Sequence, residues 1–442
     1  MSERLKEIEL ALLDRWPESR IHPTLDRIAL LADLLGSPQL SYPTIHIAGT
    51  NGKTTTTRLI DALCQQLGLR TGRFTSPHLE SFLERIAING APIAEATMIR
   101  TFEEIAPFFE LVDQRMANRL SFFEAMTGLA FVAFAEHPVD VGIFECGMGG
   151  EWDSTNVIES KVSVVTPIGL DHMQYLGNTL GEIAKTKAGI IKSGSFTVLA
   201  RQELDPAQEL LRKCAEVDST PIREGIEYGI EERALAVGGQ LLKIRGVYGE
   251  YSDLFLPLHG EHQASNAATA LAAVEVFAGE KALDQDLVRE ALATASSPGR
   301  CEVVNRNPTI IIDAAHNPHG AKSLRKTIAT EFHFDSVIGI VAMMGDKDAG
   351  GILVEFEPIM DEVIITRNTS HRAAEVEELA DSAREIFGHD RVSTAPSLAS
   401  AIASAVERAK SAEENQTAIL IAGSVISAGE ARTLIRELRG ER

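Results

Sequence analysis

The stretch Pro43-Thr44-Ile45-His46-Ile47-Ala48-Gly49-Thr50-Asn51-Gly52-Lys53-Thr54-Thr55 constrains the fold more than any other part of the chain. Residues 44–48 are largely β-branched and alternate, the pattern of a short strand. Gly49 to Gly52 can continue neither strand nor helix comfortably. From Lys53 on, Leu59, Ile60, Leu63, Cys64 and Leu67 recur at helical spacing. A strand, a glycine turn and a helix opening on Gly-Lys-Thr form a phosphate cradle. Turn amides and the helix N-terminus face an anion, Lys53 adds a charge, and the Thr54 hydroxyl can ligate Mg²⁺. The full phosphate-loop pattern asks for glycine at position 47, where Ile47 stands, so the turn is a shorter GxxGKT form. A bare GKT also occurs at ordinary βα turns, and its placement between strand and helix favours nucleotide binding.

Other strand ends carry polar residues. The segment 69–78 ends in Thr75-Ser76-Pro77-His78, and residues 95–136 read as mostly helical. Strands are expected at 139–144, 161–168 and 196–200, ending respectively at Glu145-Cys146-Gly147-Met148-Gly149-Gly150, at Gly169-Leu170-Asp171-His172 and at Ala200. Helices are expected at 3–16 and 23–36. This alternation predicts a doubly wound α/β domain, whose ligands gather at the carboxyl ends of its strands. Residues 222–258 alternate with period two about Gly238-Gly239 and read as a small antiparallel sheet. Residues 261–294 return to helix. Ser296-Ser297-Pro298-Gly299-Arg300 marks a domain boundary, and a second α/β set follows with strands near 309–313, 337–342, 362–366 and 418–422.

Composition narrows the function. The chain has 442 residues, enough for two or three domains, and a formal net charge of −21, which argues against nucleic acid or a membrane surface as partner. Any anionic ligand must then be held by local lysines, arginines and metal ions. The four cysteines are scattered without a CxxC pair, which fits a reducing cytoplasm. The N-terminus lacks the apolar run of a signal peptide, and no membrane span is expected. A monomer is the default expectation.

The strand-end residues suggest chemistry without settling it. Glu145 could hold Mg²⁺ or cap a helix, and the glycines after it, which leave the backbone bare, favour the metal. His172 could be a metal ligand sharing the sheet edge with Thr54 and Glu145, or structural. Among Lys185, Lys187 and Lys192, spacing does not single one out. Asp313 could bind ribose hydroxyls or cap the next helix, and His316 could face a phosphate or substrate. Arg300 could reach a γ-phosphate. The turn 345–348 and Ser424 read as structural.

The series HIAGTNGKT (46–54), TSPH (75–78) with ERI (84–86), ECGMGG (145–150) with DSTN (153–156), GLDH (169–172), KAGIIK (187–192), GEHQASNA (260–267), SPGR (297–300), DAAHNP (313–318) and GDKD (345–348) resembles the folylpolyglutamate synthase/dihydrofolate synthase family of the Mur ligase superfamily. The resemblance implies an ATP-binding domain of the Mur ligase central type over 1–296, with a parallel sheet and the small antiparallel region of 222–258. A C-terminal Rossmann-like α/β domain is implied over 297–442. It implies ATP-dependent phosphorylation of a carboxylate and attack on the acyl phosphate by L-glutamate, with dihydropteroate and reduced folates as acid substrates. Gly49, Thr50, Asn51, Gly52, Lys53, Thr54 and Thr55 would cradle the ATP phosphates. Ser76, Glu145 and His172 would hold Mg²⁺, at two sites. Lys187 would be the carbamylated lysine of the family. Asn266 and Arg300 would contact the γ-phosphate, Asp313 the ribose, and His316 the nucleotide and glutamate. Asp153 is the candidate on the pterin side, and closure of the two domains is expected. Two positions depart from the family's pattern: Thr54 replaces a common glycine, and Glu151 replaces a common arginine.

Two rivals remain at this stage. A cell-wall Mur ligase would be expected to carry a separate N-terminal domain for a UDP-sugar, and only about 40 residues precede the phosphate loop. A phosphate-loop ATPase without ligase activity would not need Arg300, Asp313 and His316 in a second domain.

Overall fold

The computed structural model describes residues 1–16, 22–411 and 416–440. Helices α1 (Glu3–Leu13) and α2 (Asp26–Leu34) lead into β1 (Thr44–Ala48), α3 (Lys53–Gln66) and β2 (Thr71–Phe74). A short hairpin follows, β3 (Ile86–Ile88) and β4 (Ala91–Pro92), then α4 (Glu95–Arg115), α5 (Phe122–Glu136), β5 (Val141–Glu145) and β6 (Ser160–Val165). Helices α6 (Met173–Leu176) and α7 (Leu180–Lys187), β7 (Phe196–Leu199), α8 (Leu204–Glu216) and β8 (Thr220–Arg223) complete an eight-stranded sheet, ordered β4-β3-β2-β5-β1-β6-β7-β8. From β2 through β8 the pairing is parallel, and β3 and β4 add an antiparallel edge.

The central strand is buried along its whole length, as a parallel strand covered on both faces must be. Its register sets Ile47 opposite Glu145 on one neighbour and Ala48 opposite Val165 on the other. The phosphate turn, the end of β5 and the end of β6 therefore share one sheet edge. Beneath it packs an aromatic cluster in which Phe144 touches Tyr42, Phe74, Phe131 and Phe134 at ring centroids of 5.5–6.5 Å. Capping boxes at Ser121/Glu124 and Thr179/Glu182 fix where α5 and α7 begin. The second box sets the register that brings Lys187 to the end of α7.

Strands β9 (Gly229–Ala236), β10 (Gly239–Arg245) and β11 (Glu250–Leu256) form the three-stranded sheet. Helices α9 (Glu261–Phe277) and α10 (Gln285–Ala293) follow. The second sheet comprises β12 (Glu302–Arg306), β13 (Thr309–Ile312), β14 (Ser336–Val341), β15 (Glu362–Ile365), β16 (Val392–Thr394) and β17 (Thr417–Ala422), in the order β12-β13-β17-β14-β15-β16. Helices α11 (Pro318–Glu331), α12 (Ala349–Phe356), α13 (Val376–Phe387), α14 (Leu398–Ser411) and α15 (Val425–Leu438) accompany it. The chain divides into two compact units. One holds residues 1–234, 241–257 and 264–295, and the other 235–240, 258–263 and 296–442.

Periodicity misses β3, β4, β8, β12 and β16; residues 222–223, expected in the small antiparallel sheet, belong to β8 of the large one. Each has five residues or fewer, and all five lie at or beside a sheet edge, where a strand covered by few neighbours need not be strongly apolar. The mostly helical run 95–136 is two helices, α4 and α5, separated by residues 116–121. The first two helices are shorter than their sequence spans, ending at Leu13 and Leu34.

Candidate active site

The turn after β1 depends on its glycines. Gly52 adopts φ +86°, and a Cβ there would lie 2.6 Å from Asn266 Oδ1. Gly49, at φ +148°, has no room for one against the Thr166 hydroxyl. Asn266, in the first turns of α9, thus rests directly on the turn. The turn is also laced to the loop after β6. Thr50 and Asn51 N–H donate to the Pro167 carbonyl at 3.0 and 3.4 Å, and Thr50 Oγ1 donates to Gly169 O at 3.0 Å. Two amides assigned from sequence to an anion therefore point at a carbonyl, which leaves the anion to the first turn of α3, whose amides lack intrahelical acceptors. Lys53 Nζ folds back over the turn, donating to the carbonyls of Gly49 and Thr50, both at 3.1 Å.

Glu145 is buried at the end of β5. Thr54 Oγ1 donates to its Oε1 at 2.9 Å, and the Ser76 amide, beyond β2, donates to its Oε2 at 3.4 Å. Three of the predicted metal residues therefore meet on one carboxylate. The Glu145 carboxylate and Thr54 hydroxyl offer oxygens, the chemistry Mg²⁺ prefers, while Ser76 meets the carboxylate through its amide N–H. Among the described residues no group of three or more His, Cys, Asp or Glu gathers, so a cation here depends on this mixed set. His172 follows β6, on the other side of β1 from Glu145. It adopts φ +51° and is partly exposed, with Nε2 3.9 Å from Asp171 Oδ1.

The three lysines of this stretch differ in their surroundings. Lys185 is exposed, and Lys192 Nζ donates to Asn156 O at 3.0 Å. Lys187 is buried, with Nζ 2.8 Å from Gly49 O. Burial first, then the charge of Lys53, bring it down from the usual lysine range to about 7.

Asp153 is also buried, and its carboxylate is used within its own loop. It accepts from Met148 N at 2.8 Å, Thr155 N at 3.0 Å and Thr155 Oγ1 at 2.6 Å, while burial raises its pKa. These bonds give Asp153 a loop-holding role. Thr155 continues this network to His46 Nε2 at 2.7 Å, and His46 meets Cys146 Sγ at 3.1 Å. Burial lowers the His46 pKa to about 3, so the ring is neutral. Sequence reasoning passed over His46 because one histidine in an apolar strand carries no spacing signal. It also passed over Arg58, one helical turn beyond Thr54.

In the second unit, Asp313 closes β13. It accepts from Cys301 N and Ala315 N, both at 2.7 Å, and burial raises its pKa against the opposing charge of Arg300. It does not cap α11: Asn317 does, accepting from Gly320 N at 2.8 Å. The SPGR turn folds onto the same loop through Ala314 N donating to Gly299 O at 2.8 Å. His316 Nδ1 lies 2.9 Å from Ala314 O. Asp348 and Ser424 cap α12 and α15, as their turn positions suggest.

These features define an ATP-dependent ligase. The family model for the Mur ligase middle domain matches residues 47–274, and that for the Mur ligase glutamate ligase domain matches residues 299–425. The chain belongs to the Mur ligase family, in its dihydrofolate synthase/folylpolyglutamate synthase branch. It is 48% identical to the dihydrofolate synthase/folylpolyglutamate synthase of Mycobacterium tuberculosis, over 97% of this chain and 93% of that one. It is 31% identical to the Escherichia coli enzyme of the same name, over 84% of each. The crystal structure of M. tuberculosis folylpolyglutamate synthase complexed with ADP and AMPPCP superposes with a TM-score of 0.93 at 49% identity, covering 98% of both chains. E. coli FolC in complex with DHPP and ADP superposes at 0.86 and 28% identity, again over 98% of both. The chain is accordingly an ADP-forming acid–amino-acid ligase that takes small-molecule substrates. No helix among the described residues is long and apolar enough to cross a membrane.

Proposed function

We propose that this ligase joins L-glutamate both to dihydropteroate and to folyl-glutamates. The observation that carries the reading is the meeting of Thr54 and Ser76 on Glu145, beside a turn that Lys53 and Asn266 complete. That arrangement suits a nucleotide whose terminal phosphate is transferred rather than merely bound. A carboxylate oxygen of the pterin acid attacks the γ-phosphorus, and ADP leaves. The amine of glutamate then attacks the acyl carbon, inorganic phosphate leaves, an amide forms and the amine loses its proton.

Each residue has a part in this chemistry. Lys53 balances phosphate charge, and the first-turn amides of α3 hold the β-phosphate. Glu145, Ser76, Thr54 and His172 would hold Mg²⁺, which when bound offsets the charge that builds as phosphate transfers. Lys187, with its amine near neutrality at pH 7, is set to take up CO₂: the nitrogen lone pair forms the N–C bond, a proton leaves, and a cation becomes a carbamate. Arg300 and Asn266 serve the γ-phosphate, Asp313 the ribose, and His316 the nucleotide and glutamate. The likeness to relatives named for both activities supports the two acid substrates.

Phosphate release from ATP tests this reading. It is expected to require the pterin acid and to accelerate when glutamate is added. Release indifferent to both substrates would make the protein a plain ATPase.

A further inference from the structure

Arg58 has no part in the chemistry described above. In α3 it follows Thr54 by four residues and precedes Asp61 by three, so the three share one helix face. Thr54, one turn before it on this face, bonds Glu145, so Arg58 lies on the helix face that meets that carboxylate. It is partly buried, and its charged neighbours are Arg73, Glu84, Asp61 and Glu145.

The carboxylates around it are already engaged. Asp61 takes Arg73 Nη1 and Thr71 Oγ1, both at 2.5 Å. Glu84 accepts from the amides of Leu79, Glu80 and Ser81 at 3.1, 3.1 and 2.9 Å, which shapes the loop after β2. Glu145 takes Thr54 and Ser76. Among the described residues Arg58 donates no hydrogen bond and joins no ion pair. A guanidinium has five N–H donors, and this one keeps part of its surface open to solvent. Burial and then Arg73 bring its pKa down to about 10, so it is still a cation at neutral pH. A partly exposed cation whose neighbouring carboxylates bond elsewhere suits an anionic ligand.

Which anion follows from the side of the site. Lys53 and Lys187 both reach the Gly49 carbonyl, at the phosphate turn. Arg58 is grouped instead with Glu84 and Glu145, on the flank where the β2 loop brings Ser76. We propose that Arg58 anchors the carboxylate of the pterin acid, holding it beside Glu145 for phosphorylation. The fork of a guanidinium suits a carboxylate bidentately. The proposal rests on the ligase reading above, and binding can be measured without turnover, so the two can fail separately.

The test compares dihydropteroate with its carboxamide analogue. Equilibrium binding of each to the ADP-loaded enzyme is measured for wild type, Arg58→Gln and Arg58→Lys, with ADP affinity and thermal stability alongside. Wild type is expected to favour the acid by about tenfold or more. Arg58→Gln is expected to bind acid and amide within about threefold of one another, with ADP affinity within about twofold of wild type. Arg58→Lys, which keeps the charge without the fork, is expected to fall between, and it carries the test if the Gln variant does not fold. Undiminished discrimination in the variants would overturn the proposal. So would a loss confined to ADP, which would make Arg58 a phosphate contact.

Discussion

Lys187 Nζ and the Gly49 carbonyl are 2.8 Å apart, so the phosphate turn and the end of α7 are joined by a buried amine. The bond fixes the turn from the β6 side, while Thr54 and Glu145 fix it from the β5 side. It also puts a titratable group where a charge is unwelcome, since Lys53 leans on the same carbonyl.

That placement predicts a pH dependence. The Lys187 pKa falls from the usual lysine value of 10.5 in the unfolded chain to about 7 in the folded one. Between these values the unfolded chain binds more protons, so stability rises with pH across the window and is flat below it. In CO₂-free buffer, wild type is expected to gain about 2–3 kcal/mol more than Lys187→Met between pH 7 and 9, read from urea unfolding. Parallel curves would mean that the amine stays charged in the fold. Lys187→Ala is further expected to abolish ligation, with partial recovery in acetate.

Gly52 is held by two constraints, its left-handed backbone and the Asn266 side chain. Gly52→Ala is expected to lower stability by about 1–2 kcal/mol and ADP affinity by tenfold or more. Adding Asn266→Ala should relieve the contact and leave the strain, so calorimetry on the double variant should find partial recovery. Full recovery would show that φ at this position is not strained.

For Asp153 the bonds to Met148 and Thr155 predict a structural effect. Asp153→Ala is expected to lower unfolding free energy by about 1–3 kcal/mol, because buried amides lose their acceptor. A variant of unchanged melting temperature whose KM for dihydropteroate rises would point instead to a direct pterin contact.

The sequence made the phosphate turn legible because its elements are contiguous: strand, glycines and helix start lie within 13 residues, from Pro43 to Thr55. Glu145 and Asp313 could be placed at strand ends by the same alternation. Periodicity could not choose among Lys185, Lys187 and Lys192, since the choice depends on which face of α7 meets the turn; the resemblance made that choice, and in the structure Lys187 is the one bonded to the turn. Nor could it assign Asp153, whose partners lie within its own loop and leave no hydrophobic signature. His46 and Arg58 were invisible for a related reason. Each sits at a position that reads as ordinary strand or helix, and its environment comes from segments distant in the chain.

The central claim is that one protein extends both dihydropteroate and folyl-glutamates by glutamate, with ATP consumed. Mass spectrometry of products, with each pterin acid offered separately with ATP and L-glutamate, tests it most directly. The account predicts a product heavier by one glutamyl residue from dihydropteroate, and a glutamate-extended product from a reduced folate. Mass unchanged for both acids while ADP accumulates would contradict it.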